Sequence, residues 1–309
     1  MDKLSNNQTR REFLQTSAGL LAASLAGSAF VPKTPRYLSF STLGCPDWTF
    51  KQIADFAARQ YYQGLEIRGI KRQLDLTQCP EFSKTNIPST LQLMRDNNLK
   101  FADLGSSATL HFSEPVERKK NIDEGKKFID LAHELSCPNV RVFPNLFPKD
   151  QEKKATIDLI VKGLLELGEF AKGSDVNVLI ESHGDLLSIA DLEEVMKAAT
   201  HPNVGMIWDV TNMWIKTHES PKAAYERLKT YIRHTHIKDA KMVGEKIVYT
   251  RLGQGKVPIF EAIDILLKDG YKGYYSFEWE KLWHPELEEP ALAIAEYARV
   301  MKKHFKQFS

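Results

Sequence analysis

The sequence predicts a single-domain α/β protein with the (β/α)8 fold, the TIM barrel. Eight short apolar runs alternate with eight helical stretches from residue 37 to the C-terminus. Four consecutive runs in the second half of the chain each end in a carboxylate or a histidine. Alternating strands and helices favour a parallel sheet with helices outside, and eight units close it into a barrel. A barrel of about 250 residues is commonly one domain, so the 309-residue length fits.

The segments that we interpret as strands are short, rich in β-branched and aromatic residues, and separated by polar stretches. Taken in the order of the chain, they are the eight strands of the predicted barrel. They cover residues 37–42, 64–68, 100–106, 139–143, 176–181, 204–209, 232–237 and 274–279.

The segments between them have apolar residues spaced three and four apart, which is typical of a helix with one buried face. Ile157, Ile160 and Leu164 show this spacing. Proline is tolerated in the first turn of a helix, where its missing N–H would have no partner, and Pro88, Pro221 and Pro290 lie near such starts. The predicted helices cover residues 49–60, 87–97, 116–135, 152–172, 189–199, 221–229, 257–268 and 288–306.

A doubly wound open sheet is the alternative to the barrel. That fold places a glycine-rich phosphate loop after its first strand, and residues 41–46, with the sequence STLGCP, form no such loop. Two longer connections, 69–86 and 238–256, follow predicted strands. Loops at this end of a barrel form substrate pockets, so we expect both to contribute to binding.

The first 30 residues are predicted to lie outside the barrel, which would cover residues 36–309. Arg10 and Arg11 are followed by Phe13-Leu14 and by a weakly apolar stretch of small residues, 18–29, with a possible cleavage point before Phe30. This segment resembles a twin-arginine export signal. It implies a periplasmic or otherwise exported protein that uses the twin-arginine export machinery. The alternative is an amphipathic helix that begins the fold.

The composition argues against several classes of protein. The net charge of +2 gives no footprint for nucleic acid. No apolar run reaches the roughly 20 residues needed to span a bilayer, so no stable membrane insertion is expected. Cys45, Cys79 and Cys137 are widely spaced and predict neither a zinc motif nor a disulfide framework. Whether the chain forms a homo-oligomer stays open at this point.

Glu181, Asp209, His236 and Glu278 lie at the ends of the last four predicted strands. In a barrel these ends meet at one rim, so we expect the four side chains to bind one divalent metal ion. The mixed oxygen and nitrogen donors favour Mn²⁺, Zn²⁺ or Co²⁺ over Mg²⁺. His234, two residues before His236 on the same face, competes with it for this role.

The two glutamates predict proton transfer as well as metal binding. Because Glu181 and Glu278 come from different strands, one can act as base and the other as acid on opposite faces of a sugar carbon. Other interpretations are open for single residues: either glutamate could be a surface charge, and Asp209 could cap the following turn. Near these strand ends, His183 and Trp283 are candidates to contact a sugar. Lys238 could do the same, or could pair with Asp239.

Several motifs together resemble the xylose-isomerase-like barrel superfamily of sugar phosphate isomerases and epimerases. They are Glu181-Ser-His183, Trp208-Asp209-x-x-Asn212, His234-Thr-His236-Ile-Lys-Asp239, Leu252-Gly-Gln-Gly255 and residues 270–278. The resemblance implies a metal site built from Glu181, Asp209, His236 and Glu278, with His236 as the ligand instead of His234 and the two glutamates as the acid/base pair. Gly64-Leu-Glu66-Ile-Arg68 is also similar to an early motif of the family. With the candidates named above, the residues expected to contact the substrate are Glu66, Arg68, His183, Asn212, Lys238 and Trp283.

Two positions differ from the ketose 3-epimerases of that superfamily, which carry histidine where this chain has Asn212 and arginine where it has Met242. Asn212 also argues against the DNA-repair endonucleases that share the barrel. The expected function is an exported sugar isomerase or epimerase. It would remove a proton next to a carbonyl and pass through a metal-stabilised enediolate. The alternatives are a metal-dependent lyase or dehydratase acting on a keto sugar or keto-glycoside, and a non-catalytic carbohydrate-binding barrel.

Overall fold

The computed structural model describes residues 35–308. Eight parallel strands form a closed barrel, and a separate two-stranded sheet lies in the connection after the seventh strand. The strands are β1 Tyr37–Ser41, β2 Gly64–Ile67, β3 Lys100–Thr109, β4 Asn139–Phe143, β5 Asn177–Glu181, β6 Val204–Asp209, β7 Ile232–Ile237, β8 Asp239–Val243, β9 Lys246–Thr250 and β10 Tyr274–Phe277.

The helices are α1 Phe50–Arg59, α2 Ile87–Asp96, α3 Pro115–Glu134, α4 Lys153–Phe170, α5 Ile189–Ala198, α6 Val210–Thr217, α7 Pro221–Leu228, α8 Ile259–Lys268 and α9 Pro290–Lys306. Short 3-10 turns cover Thr42–Gly44, Leu76–Gln78 and Pro80–Phe82. Within this part of the chain, no helix is long and apolar enough to cross a membrane. The export signal predicted for residues 1–30 lies outside the described residues.

The barrel confirms the predicted fold, and its strands follow one another in the order of the chain. β1 pairs with β2 on one side and with β10 on the other, which closes the sheet. Sequence capping sets several helix starts: Thr49 forms a capping box with Gln52 ahead of α1, and prolines begin α3, α7 and α9.

Apolar side chains fill the layer between the strands and the surrounding helices. In α4 the residues spaced three and four apart, Ile157, Ile160 and Leu164, are fully buried, as their spacing predicts. Burying each such side chain stabilises the fold by roughly 1.5–3 kcal/mol.

Two elements in the structure were not predicted. The first is α6, which begins directly after β6 with no intervening loop. The second is the β8–β9 hairpin within the connection 238–256, which was predicted as a long loop. Its strands pair in antiparallel register from Asp239↔Thr250 to Val243↔Lys246, and Gly244 takes φ +61° in the turn. A positive φ is accessible to glycine without strain, which allows so tight a reversal.

The register places the candidate ligands at one rim. Asp209 of β6 is paired with His236 of β7, and His236 is paired with Ser276 of β10, two residues before Glu278. Glu181 is the last residue of β5, beside β6. The carboxyl ends of four neighbouring strands therefore present their side chains to a common space.

Candidate metal centre

The structure brings Glu181, Asp209, His236 and Glu278 together, with one donor atom of each within 4.8 Å of the others. Nδ1 of His236 lies 3.5 Å from Oε1 of Glu181, 3.7 Å from Oδ2 of Asp209 and 3.5 Å from Oε2 of Glu278. The imidazole nitrogen thus faces all three carboxylates.

These distances fit one divalent metal ion. Donors held about 2.1 Å from a tetrahedral ion are roughly 3.4 Å apart, close to the spacing found here. All four side chains are buried, and within residues 35–308 Nδ1 of His236 has no hydrogen-bond partner. A buried nitrogen of this kind is costly unless something binds it. Three carboxylates and one imidazole are suitable donors for a divalent ion.

Glu66 lies on the other side of the His236 ring. Its Oε2 is 3.0 Å from Nε2 of His234, 3.1 Å from Nε2 of His236 and 2.9 Å from Oγ of Ser276, which donates a hydrogen bond. A proton on Nε2 of His236 leaves Nδ1 free to bind a metal ion. His234 contacts Glu66 and not the three carboxylates of the cluster. His236 is therefore the histidine whose nitrogen faces Glu181, Asp209 and Glu278.

Two cations hold the carboxylates in place. Nζ of Lys238 is 2.8 Å from Asp209, 2.5 Å from Glu278 and 2.8 Å from Glu280. Lys238 is buried, so these contacts offset the loss of its hydration. The alternative of a Lys238–Asp239 pair is not what the structure shows. Asp239 instead accepts backbone hydrogen bonds within its own loop.

Arg141 of β4 is the second cation and was not predicted from the sequence. Its Nη1 lies 3.1 Å from Oε2 of Glu181 and 3.9 Å from Oε1 of Glu278. Arg141 is 2% exposed, whereas arginine is rarely buried without a partner. A charged residue between two valines of a strand was the available signal, because the interior of a barrel accepts such a residue only beside opposite charge.

The two glutamates differ in how readily they ionise. Burial raises the pKa of Glu278 to about 7, partly offset by His236 and Lys238. Burial acts on Glu181 in the same direction, but His236 and Arg141 outweigh it and hold the pKa of that carboxyl below its usual value. Environments that separate two carboxylates in this way suit different roles in proton transfer.

A cavity of about 290 Å³ opens above the centre, and both Glu181 and Glu278 line it. This volume is near the lower end of small-molecule sites and suits a ligand of about monosaccharide size. Five of the six residues predicted to contact substrate line the cavity, namely Arg68, His183, Asn212, Lys238 and Trp283. Glu66 does not: it is fully buried beneath His236, because its position inside β2 points into the barrel.

Asn212 and His183 form one wall near Glu181. The side chain of Asn212 lies 3.4 Å from Oε1 of Glu181 and donates to the carbonyl of Ser182 at 3.3 Å. The ring of His183 packs against Phe143 at 4.5 Å between centroids. Asp209 also caps α6, since its Oδ1 accepts a hydrogen bond from the Asn212 backbone at 2.8 Å. The other oxygen, Oδ2, faces His236, so capping by Asp209 is compatible with its predicted role as a metal ligand.

The chain is similar to two curated proteins at low identity. It is 23% identical over 171 residues to inosose dehydratase from Geobacillus thermodenitrificans (strain NG80-2), covering 48% of this chain and 54% of that protein. It is 21% identical over 194 residues to fructoselysine 3-epimerase from Shigella flexneri, covering 61% of this chain and 67% of that protein. The chain therefore spans only about half the length of the first of these relatives.

Solved structures share the fold. The crystal structure of the IolI protein with a bound zinc atom matches with a TM-score of 0.75 at 16% identity. The match covers 88% of this chain and 99% of that one. The family described as xylose isomerase-like TIM barrel matches residues 54–304, which is most of the sequence. The chain belongs to the xylose isomerase-like TIM barrel family.

Proposed function

We propose that this protein is a metal-dependent sugar isomerase or epimerase that moves a proton at a carbon next to a carbonyl. The observation that carries the proposal is the placement of Glu181 and Glu278. They come from the end of β5 and from the residue that follows β10, each lies 3.5 Å from Nδ1 of His236, and both line the same cavity. The two curated relatives, a dehydratase and an epimerase, support a sugar-modifying activity.

The ion would be held by Glu181, Asp209, His236 and Glu278. When bound, it would polarise the substrate carbonyl and so increase the acidity of the neighbouring C–H. We propose Mn²⁺, Zn²⁺ or Co²⁺ in preference to Mg²⁺, because the donor set includes an imidazole. The zinc bound in the structurally similar IolI protein supports this choice.

The protein's own groups would handle the proton. One glutamate accepts it from the carbon, and the other returns a proton on the opposite face. Arg141 fixes the carboxylate of Glu181, and Lys238 fixes that of Glu278, so neither has to reorganise during the reaction. Trp283, which is 53% exposed at the edge of the cavity, offers a ring face for the C–H groups of a sugar.

Dehydration is the second candidate reaction, and Lys238 is the observation that favours it. Its ammonium group lines the cavity within 2.5 Å of Glu278. After a glutamate has removed a proton from one carbon, a nearby ammonium can protonate a hydroxyl leaving from the next carbon. The products are then an unsaturated carbonyl compound and water.

We also propose that the chain is exported through the twin-arginine route. Arg10 and Arg11, followed by the apolar stretch 18–29, support this proposal. Fractionation of expressing cells should find the wild type in the periplasm and an R10K/R11K variant in the cytoplasm. Equal distribution of the two would reject twin-arginine export.

Incubating the metal-loaded protein with keto sugars in D₂O tests the reaction. Deuterium at the carbon next to the carbonyl, with otherwise unchanged product mass, is the expected result for isomerisation or epimerisation. Loss of 18 mass units assigns the dehydratase instead. Sugar binding without any exchange would reject both reactions and favour a non-catalytic carbohydrate-binding barrel.

A further inference from the structure

The cavity contains three cationic side chains, and they differ in their partners. Lys238 contacts Asp209, Glu278 and Glu280, and Arg141 contacts Glu181. Arg68 also lines the cavity and is 5% exposed. Within residues 35–308, no carboxylate oxygen lies within 4.0 Å of its guanidinium nitrogens, and Glu124, Glu181 and Glu278 act on its charge from farther away.

The contacts of Arg68 are to neutral groups of the neighbouring strand. Its Nη2 donates to Oγ of Ser107 at 2.9 Å, and its Nη1 lies 3.4 Å from the carbonyl of Gly105. These bonds fix the position of the guanidinium group, and neither of them is to a carboxylate. A nearly buried cation that contacts no carboxylate is unfavourable, because buried charges are normally paired directly.

Arg141 places a second positive charge close to Arg68. The Arg68 and Arg141 side chains reach the end of β3 from the strands on either side, and Nη2 of Arg141 donates to the carbonyl of Ser106 at 3.0 Å. Gly105 separates them: a Cβ there would lie 2.9 Å from Cδ of Arg68 and 3.2 Å from Nη2 of Arg141. Two guanidinium groups this close repel each other, and burial together with Arg141 lowers the pKa of Arg68 to about 9.

We infer that Arg68, supported by Arg141, binds an anionic substituent of the substrate, so that the natural substrate is an acidic sugar derivative. The inference rests on the proposed function, because it concerns the substrate of the same cavity. The guanidinium fork suits the paired oxygens of a carboxylate or a phosphate. Glu181 and Glu278 line the same cavity, so the charged end would lie against Arg68 while the reacting carbon faces the carboxylates.

Isothermal titration of the metal-loaded protein with three matched ligands tests this inference. D-Fructose is the neutral ligand, D-fructuronate replaces its terminal CH₂OH with a carboxylate, and D-fructose 6-phosphate carries a phosphate there. We expect at least one of the anions to bind tenfold or more tightly than fructose. The carboxylate and phosphate arms show which group the site accepts.

Variants locate the effect. Arg68→Gln should reduce the anion preference to less than threefold, and Arg68→Lys should retain part of it. Arg118→Gln is the matched control, since Arg118 also donates to backbone carbonyls, those of Leu110 and Leu159, away from the cavity. Its anion preference should equal that of the wild type. The comparison of ligands on the wild type decides the question even if Arg68→Gln fails to fold.

Equal binding of the three ligands by the wild type, or an unchanged preference in a folded Arg68→Gln variant, would overturn the inference. Failure of all three to bind would overturn it as well. Deuterium exchange into fructose without a preference for anions would leave the proposed function standing and reject the acidic substrate. Tight binding of anions without deuterium exchange into any sugar would reject the proposed function and leave the anion-binding role of Arg68 standing.

Discussion

Nε2 of His236 lies 3.1 Å from Oε2 of Glu66, while Nδ1 of the same ring faces Glu181, Asp209 and Glu278. One side of the imidazole is thus engaged by a carboxylate inside the barrel, and the other is turned to the site. Hydrogen-bonded carboxylates behind metal-binding histidines set the ring orientation and increase the basicity of the donor nitrogen.

Glu66→Gln should therefore weaken metal binding without removing a ligand. We expect affinity to fall by roughly 10–100-fold, as when such partners are lost in other metal sites. Competition with a chromophoric chelator measures it. Ser276→Ala is the control, because the Ser276 hydroxyl donates to the same oxygen of Glu66 and the substitution leaves the Glu66–His236 contact in place. Equal losses in the two variants would mean that general repacking is responsible.

Removing the metal should destabilise the protein. Three buried carboxylates then face one another around His236, and Lys238, Arg141 and the imidazole of His236 offset only part of their repulsion. For an ion at 1,000 times its dissociation constant, the lost stabilisation is about 4 kcal/mol, or roughly 7 °C in Tm for a domain of this size. Thermal unfolding with and without EDTA measures the shift. In Glu278→Gln the shift should shrink, and a full shift would argue against Glu278 as a ligand.

Lys238→Met should affect the metal-free protein more than the loaded one. The substitution leaves Asp209, Glu278 and Glu280 without their shared cation, and breaking such a buried pair destabilises by about 3–5 kcal/mol. A bound ion supplies positive charge and should reduce the loss. Urea unfolding of both forms provides the comparison. Lys241→Met, on the exposed face of the β8–β9 hairpin, should leave stability unchanged.

Asp239→Asn should loosen the connection that follows the hairpin. The Asp239 carboxylate accepts hydrogen bonds from the backbone N–H groups of Ala240, Gly253 and Gly255, at 2.8, 2.9 and 2.9 Å. An amide presents one acceptor and one donor, so at least one of these N–H groups loses its partner, at about 1–3 kcal/mol. Urea unfolding measures the loss. Asp130→Asn, at an exposed position of α3, should be neutral, and similar values for both would exclude the anchoring role.

Local pattern was sufficient for the barrel. Helices such as α4 bury one face with clear periodicity. Eight alternating strand and helix segments are compatible with few folds other than the barrel. It was insufficient for α6, whose eight residues follow β6 without a turn residue, and for the β8–β9 hairpin, whose strands are largely exposed and lack clean alternation. Both are stabilised by contacts that sequence spacing does not report.

The rim residues were predictable because strand ends of a closed barrel converge, whatever lies between them in sequence. Arg141 and Glu280 were missed, since their role depends on charges contributed by other strands. Glu66 and Arg68 lie two residues apart yet have different surroundings, with Glu66 inside the barrel and Arg68 at the cavity. The two differ because β2 ends at Ile67, so Glu66 lies within the strand and Arg68 follows it.

The β8–β9 hairpin hydrogen-bonds within its own two strands, yet its Tyr249 lines the cavity beside Lys238. Part of the wall is therefore built on a module that does not share the hydrogen-bond ladder of the barrel. Replacement of this hairpin would reshape the entrance of the cavity while leaving the cluster of Glu181, Asp209, His236 and Glu278 intact. A change confined to a dozen residues can thus alter which molecules enter the cavity, which makes the hairpin the natural starting point for redesigning it.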